Sequence, residues 1–236
     1  MRALVIVHDP GSEAVLVGDR LEHHGYEQVE IALTTEPGNP VGSAAGLGDP
    51  SDYELIVPMG STHSLTDPDR ISSWIHDELD FLRRADAEGV PVFGVCFGGQ
   101  ALAAAHGGRV VKADRPQVGW HHLTPRDGVP IPAGRWMQWH YDRFEPPVDD
   151  PDVEVLAVDD VGVQAFALRR NLGVQFHPEV TRAHVQRWVD MGAGTELRGL
   201  GLDPGDLLDQ CEAILDDVRE RTNALVDWFL TDVATR

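Results

Sequence analysis

Val90-Pro91-Val92-Phe93-Gly94-Val95-Cys96-Phe97-Gly98-Gly99-Gln100, continued by Ala101-Leu102-Ala103-Ala104-Ala105, decides the fold. Residues 90–95 are a short apolar run suited to a strand buried on both faces of a parallel sheet, and 100–105 read as a helix closed by Gly107-Gly108. Between them, a cysteine among glycines has the form of a nucleophile elbow. Such a strained turn lifts a side chain above the carboxyl edge of the sheet, and its glycines remove side chains that would collide. A helix N-terminus favours the thiolate, and the backbone N–H of Phe97 can point at a developing oxyanion. Cys96 is therefore the candidate nucleophile, although the motif alone also fits a buried structural cysteine.

Working outward, strands are expected over 3–7, 29–33 and 55–57, and helices over 12–24, ending at Gly25, and 67–88, ending at Gly89. Residues 34–52 are rich in Gly, Pro, Ser and Asn and read as a loop. Strand and helix alternate through this half, the pattern of a parallel sheet covered on both faces. The second half reads differently, with close-spaced strands at 153–158, 163–168 and 173–176 and a hairpin turn at Arg169-Arg170-Asn171. Helices are expected over 181–191 and 206–230, the latter with Leu207, Leu208, Cys211, Ile214, Leu215, Val218, Leu225 and Phe229 as one apolar stripe. The expected fold is α/β: an open, mostly parallel sheet with helices on both faces and added antiparallel strands. One domain is expected over 1–236, with a helical extension from about 195.

Composition excludes several classes. With 19 Lys+Arg against 39 Asp+Glu among 236 residues, the net charge is −20, which disfavours nucleic acid and anionic membrane surfaces as partners. Two cysteines make no disulfide framework, residues 3–7 are too short for a signal-peptide core, and no stretch approaches a membrane span. A cytoplasmic protein with reduced thiols is expected. The pairs His23-His24 and His121-His122 lack a second ligand pair at zinc-like spacing, so neither metal nor cofactor is expected. The acidic residues between Asp203 and Asp217 read as a solvated helix face and Cys211 as a core side chain.

A second motif, Gly173-Val174-Gln175-Phe176-His177-Pro178-Glu179, also runs from a strand into a polar end. His177 and Glu179 are two apart, so extended backbone puts both side chains on one side, as base and orienting carboxylate. By itself this segment also fits a solvated turn. Together, Gly-x-Cys-x-Gly-x-Gln and Gln-x-His-Pro-Glu resemble the class I glutamine amidotransferases, over roughly residues 3–189.

That resemblance implies a Cys96-His177-Glu179 triad on a flavodoxin-like core, hydrolysing the side-chain amide of L-glutamine to glutamate and ammonia through a thioester. It implies that Gln100 contacts glutamine and that the Gly60 amide completes an oxyanion hole with that of Phe97. The family usually has Gly-Gly-Pro after the third strand, whereas here Met59 replaces one glycine; Met59 is expected to pack into the core, leaving Gly60 sufficient. Segments Val118-Gly119-Trp120, Trp139-His140-Tyr141-Asp142 and Gln164-Ala165-Phe166 look like the stand-alone, GMP-synthase-like branch, which implies Trp139 and His140 near the substrate pocket. No P-loop of the Gly-x₄-Gly-Lys-Ser/Thr type occurs, so ammonia would pass to a separate synthetase or acceptor protein. The alternatives are a stand-alone hydrolase or peptidase of γ-glutamyl amides or peptides, to be distinguished at the pocket mouth near 61–66, and a non-catalytic protein retaining the fold.

Overall fold

A computed structural model describes residues 1–36 and 38–236; Pro37, inside the loop expected over 34–52, lies outside the described residues. Strands β1 (Arg2–Val7), β2 (Glu27–Ala32) and β3 (Leu55–Pro58) pair in parallel in the order β2-β1-β3. A parallel bridge from Ile56 to Val92 hands β3 on to β4 (Phe93–Val95). Strand β9 (Asn171–Val174) then pairs parallel to β4. Strands β8 (Val163–Leu168) and β7 (Val153–Val158) add antiparallel to it. This is the expected α/β class.

Alternation along β1 shows why both faces are covered. Ala3, Val5 and Val7 join one core with Val17 and Leu21 of α1 (Val15–His23) and with Leu225 of α7 (Leu215–Trp228) and the following Phe229. Leu4 and Ile6 join the other, with Ile75, Phe81 and Leu82 of α2 (Ile75–Ala87) and Ala101 and Leu102 of α3 (Phe97–Ala105).

The structure corrects the sequence reading in several places. The longest strands, β5 (Arg109–Leu123) and β6 (Gly134–Glu145), form an antiparallel hairpin where no strands were expected. Its buried positions include Gln117, Gln138, His140 and Asp142, and the register shifts between Lys112 and Gln117, so no apolar alternation marks it. The helix expected over 67–88 is a 3₁₀ turn, Pro68–Ile71, and then α2; Trp74 breaks them by adopting φ −145° and turning inward, its Nε1 donating to the Pro40 carbonyl at 3.0 Å. The helix expected over 206–230 is two, α6 (Pro204–Ala213) and α7, parted at Ile214 (φ −121°, ψ 12°). Its stripe divides accordingly: Leu207, Leu208 and Cys211 pack with Val185 of α4 (Arg182–Trp188), while Leu225 packs on the sheet. Asp203 is not merely solvated but caps α6, accepting from the Gly205 and Asp206 amides. After α4 the chain passes through a π turn, Val189–Ala193, with Gly192 at φ +120°, into α5 (Gly194–Gly199).

Candidate active site

Cys96 follows β4 immediately and has φ 52°, ψ −106°, an unfavourable backbone conformation for a non-glycine residue that costs of order 1–3 kcal/mol. Two contacts enforce it. The Cys96 amide donates to the Val174 carbonyl at 2.8 Å, and the Gly98 amide to that of Met59 at 3.0 Å. A side chain on Gly98 would collide with the Pro58 carbonyl, and one on Gly94 would sit 2.6 Å from the Gly98 carbonyl oxygen, so the turn requires both glycines. Helix α3 starts at Phe97, three residues earlier than the Ala-rich run suggested, so the dipole begins at Cys96 itself.

His177 and Glu179 do share a side. His177 Nδ1 lies 2.7 Å from Glu179 Oε1, both residues are buried, and the His177 amide donates to the Met137 carbonyl at 2.8 Å, tying the pair to β6. A carboxylate only accepts, so Nδ1 carries the proton and Nε2 is left for another group. Nε2 has no hydrogen-bond partner among the described residues. Burial pulls the His177 pKa down, but the Glu179 carboxylate and then Cys96 outweigh it and hold it well above the ordinary value. The imidazolium is favoured by these partners over the neutral ring.

Met59 is fully buried in the core, and Gly60 stands against Cys96 and His177: a Cβ there would lie 3.0 Å from His177 Cε1 and 3.9 Å from the Cys96 Cβ. The amides of Gly60 and Phe97 donate to no acceptor among the described residues. Gly60, Cys96, Phe97, Gln100, Trp139, His140, His177 and Glu179 all line one cavity of about 530 Å³, together with Ser61, Thr62, His63 and Ser64 of the loop after β3.

Gln100 and His140 are occupied by protein groups. Gln100 Nε2 donates to the Asp142 carbonyl at 3.2 Å and to Gln175 Oε1 at 3.3 Å. Because a backbone carbonyl cannot donate, this orients both amides and leaves Gln175 Nε2 facing Cys96 Sγ at 3.6 Å. His140 sits in mid-strand on β6, with Nδ1 2.9 Å from the Asp142 carbonyl and Nε2 3.0 Å from Gln117 Oε1. Burial pushes its pKa down to about 4, so it is neutral and no proton donor at pH 7. Trp139 presents its carbonyl to Cys96 Sγ at 3.9 Å, while its Nε1 and the Tyr141 hydroxyl both donate to Glu196 Oε1. Sequence reasoning missed Gln175, although it lies inside the second motif, and it missed Glu196, for which no sequence signal exists. Cys211 is buried on α6 as expected. His24 pairs with Asp227 at 2.7 Å, and among the described residues no His/Cys/Asp/Glu group is arranged to hold a metal ion.

The model of the glutamine amidotransferase class-I family matches residues 53–188, which is more than half of the chain and includes Gly60, Cys96, His177 and Glu179. The chain belongs to the class I glutamine amidotransferases. Among the relatives of this amidotransferase, the GMP synthase [glutamine-hydrolyzing] of Thermus thermophilus is 36% identical over 180 residues, 71% of this chain and 32% of that protein. The enzyme of that name from Porphyromonas gingivalis is 30% identical over 191 residues, 73% of this chain and 34% of that protein. The chain thus spans about a third of the length of these curated relatives. In fold it is similar to a glutamine amidotransferase from Thermotoga maritima (TM-score 0.82, 20% identity, 98% of this chain and 99% of that one). A glutamine amidotransferase from Methylobacillus flagellatus gives a TM-score of 0.78 at 20% identity, with 98% and 95% covered. Among the described residues of this amidotransferase no helix is long and apolar enough to cross a membrane.

Proposed function

We propose that Cys96 attacks the side-chain amide of L-glutamine, with His177, held by Glu179, as proton carrier. The observation that carries this reading is the 2.7 Å His177–Glu179 contact in a cavity shared with a cysteine on a strained elbow. With its pKa raised, His177 retains the proton taken from the thiol and delivers it to the departing ammonia. The Gly60 and Phe97 amides receive the oxyanion, and Gln175 Nε2 holds the sulfur in line. His177 then takes a proton from water, which releases glutamate from the thioester. Trp139, His140 and Gln100 act as pocket wall and support; in this reading Gln100 acts through Gln175.

The relatives are named as glutamine-hydrolysing synthases, and a synthetase or acceptor protein is the proposed destination of the ammonia. A cytoplasmic setting fits the two free cysteines. One observation favours the second reading, a hydrolase of γ-glutamyl amides or peptides: the cavity extends past the triad to Lys112, Tyr141 and Glu196, leaving room for a leaving group larger than ammonia. Glutamate release from L-glutamine and from a panel of γ-glutamyl amides, with Cys96→Ser as control, tests both. Release from glutamine that is lost in Cys96→Ser supports the glutaminase; Cys96-dependent release from the panel alone supports the hydrolase; release unchanged in Cys96→Ser overturns the mechanism.

A further inference from the structure

The family's usual glycine pair is absent after β3, yet the loop there is held from behind by two consecutive residues that follow β1. His8 and Asp9 are both buried, at 0% and 2% exposure. Asp9 Oδ2 accepts from the Ser61 hydroxyl at 2.8 Å and the Thr62 amide at 3.0 Å, and Oδ1 from the Thr62 hydroxyl at 3.3 Å. His8 Nδ1 lies 3.3 Å from the Gly60 carbonyl oxygen, and His8 Nε2 lies 2.8 Å from Glu78 Oε1 of α2. The rings of Phe97 and Trp74 close over it, with centroids 4.7 and 5.6 Å away. A backbone carbonyl and a carboxylate both only accept, so satisfying both requires a proton on each imidazole nitrogen.

The titratable groups facing His8 are Glu78 from α2, Asp9 beside it and His63 from the loop after β3. Burial pulls the His8 pKa down, but Glu78, Asp9 and the Gly60 carbonyl outweigh it and the net shift is upward, in agreement with the geometry. No side chain on Gly60 itself could brace it, because His177 already stands 3.0 Å from where its Cβ would be. The Gly98 amide already holds the Met59–Gly60 peptide, so the freedom left to this permissive glycine is that of the peptide on its other side.

We propose that His8, held as an imidazolium by Glu78, is a positioning residue that fixes the Gly60–Ser61 peptide by its carbonyl; with the Met59 carbonyl held by the Gly98 amide, both peptides flanking Gly60 are then set and its N–H is aimed at the reacting carbonyl. The proposal rests on the reading of Gly60 as an oxyanion donor. It assigns a second buried imidazole–carboxylate pair a role in turnover without contact to substrate, and it explains how a single glycine suffices beside Met59.

The test compares wild type with Glu78→Gln and with the double variant His8→Met/Glu78→Met. The double variant leaves no unpaired buried charge, so it should fold, since apolar replacement of a buried ion pair is often neutral or stabilising. Three readouts are taken: side-chain ¹⁵N shifts of His8, the backbone amide resonance of Gly60, and kcat and KM for glutamate release alongside alkylation of Cys96 by iodoacetamide. Alkylation is displacement at a saturated carbon and develops no oxyanion. Expected are a doubly protonated His8 at pH 7, a shifted or broadened Gly60 amide in both variants, and a fall in kcat of about 10- to 100-fold. That fall stays below the 10²–10³ known for outright loss of an oxyanion donor, with KM and alkylation within about twofold of wild type. A neutral His8, or a folded double variant with an unmoved Gly60 amide or unchanged kcat, overturns the proposal. A wild type that releases no glutamate while the variants still displace the Gly60 amide sinks the glutaminase reading and leaves the positioning of Gly60 supported.

Discussion

Replacing Glu179 by glutamine keeps the shape of the pair and removes its charge. With Nδ1 and Oε1 2.7 Å apart, the charge centres lie roughly 4 Å from each other, and an effective dielectric of about 20 gives about 4 kcal/mol for their attraction. Cutting one partner from a buried pair costs a similar 3–5 kcal/mol. A glutamine oxygen still accepts from Nδ1, so the lost part is about 2–4 kcal/mol, which at 1.4 kcal/mol per tenfold is about 30- to 1000-fold in the population of the thiolate–imidazolium pair. The assay is the second-order rate of Cys96 alkylation by iodoacetamide at pH 6, read by mass spectrometry, with buried Cys211 as an internal reference. The expected result is a rate lower by that factor in Glu179→Gln. The sign for stability follows from the raised His177 pKa. Charge on His177 contributes fully below pH 6.5 and is lost as pH rises through the higher folded value, so wild type should lose stability on the alkaline side of neutral and Glu179→Gln should show a flatter curve. An alkylation rate at pH 6 within threefold of wild type would refute the reasoning.

Three further outcomes are expected. Gly60→Ala forces His177 to retreat by a few tenths of an ångström from a 3.0 Å contact; kcat should fall 10- to 100-fold with KM nearly unchanged, and unchanged kcat would show that the cavity tolerates the methyl. Gln175→Leu removes the N–H that faces Cys96 Sγ at 3.6 Å and one of the two acceptors of Gln100 Nε2; kcat should drop about tenfold and stability by about 1–3 kcal/mol, checked by steady-state kinetics and urea unfolding. Tyr141, whose pKa burial and then Glu196 push up to about 12, should titrate nearer 10 in Glu196→Ala, as read by tyrosinate absorbance; a midpoint that does not move would contradict the contact.

What was legible depended on whether apolar pattern and function coincide. The strands near 3–7, 55–57 and 90–95 are continuous apolar runs, and the glycines around Cys96 announce a turn whose contacts require them. The β5–β6 hairpin was illegible because its inward residues include the polar Gln117, Gln138, His140 and Asp142, which bond to Gln164, Asp159 and Ser64 as well as to each other and so leave no apolar alternation. The break at Ile214 was hidden for the opposite reason: the apolar period runs through it unbroken while the two halves serve separate cores. His8 sat at the end of an apolar run with nothing nearby in sequence to pair with, since Glu78 is 70 residues away.

The register of the sheet explains why these distant residues meet. Strands β1, β3, β4 and β9 are consecutive neighbours and parallel, so their carboxyl ends open on the same edge. Ile6 pairs with Pro58, so two residues further on His8 comes level with Gly60, which is where Nδ1 meets the carbonyl. Val95 pairs with Val174, so one residue further on Cys96 comes level with Gln175, whose amide reaches Sγ, and two residues beyond that lies His177. A slip of one residue in either pair would displace these groups by about 3.3 Å and reverse the side to which each points. The proposed nucleophile, base, oxyanion loop and the brace behind it therefore share one cause. The bulky pairs Leu4 with Ile56 and Phe93 with Leu172 stand in this register and so help set the geometry of the proposed site without lining its cavity.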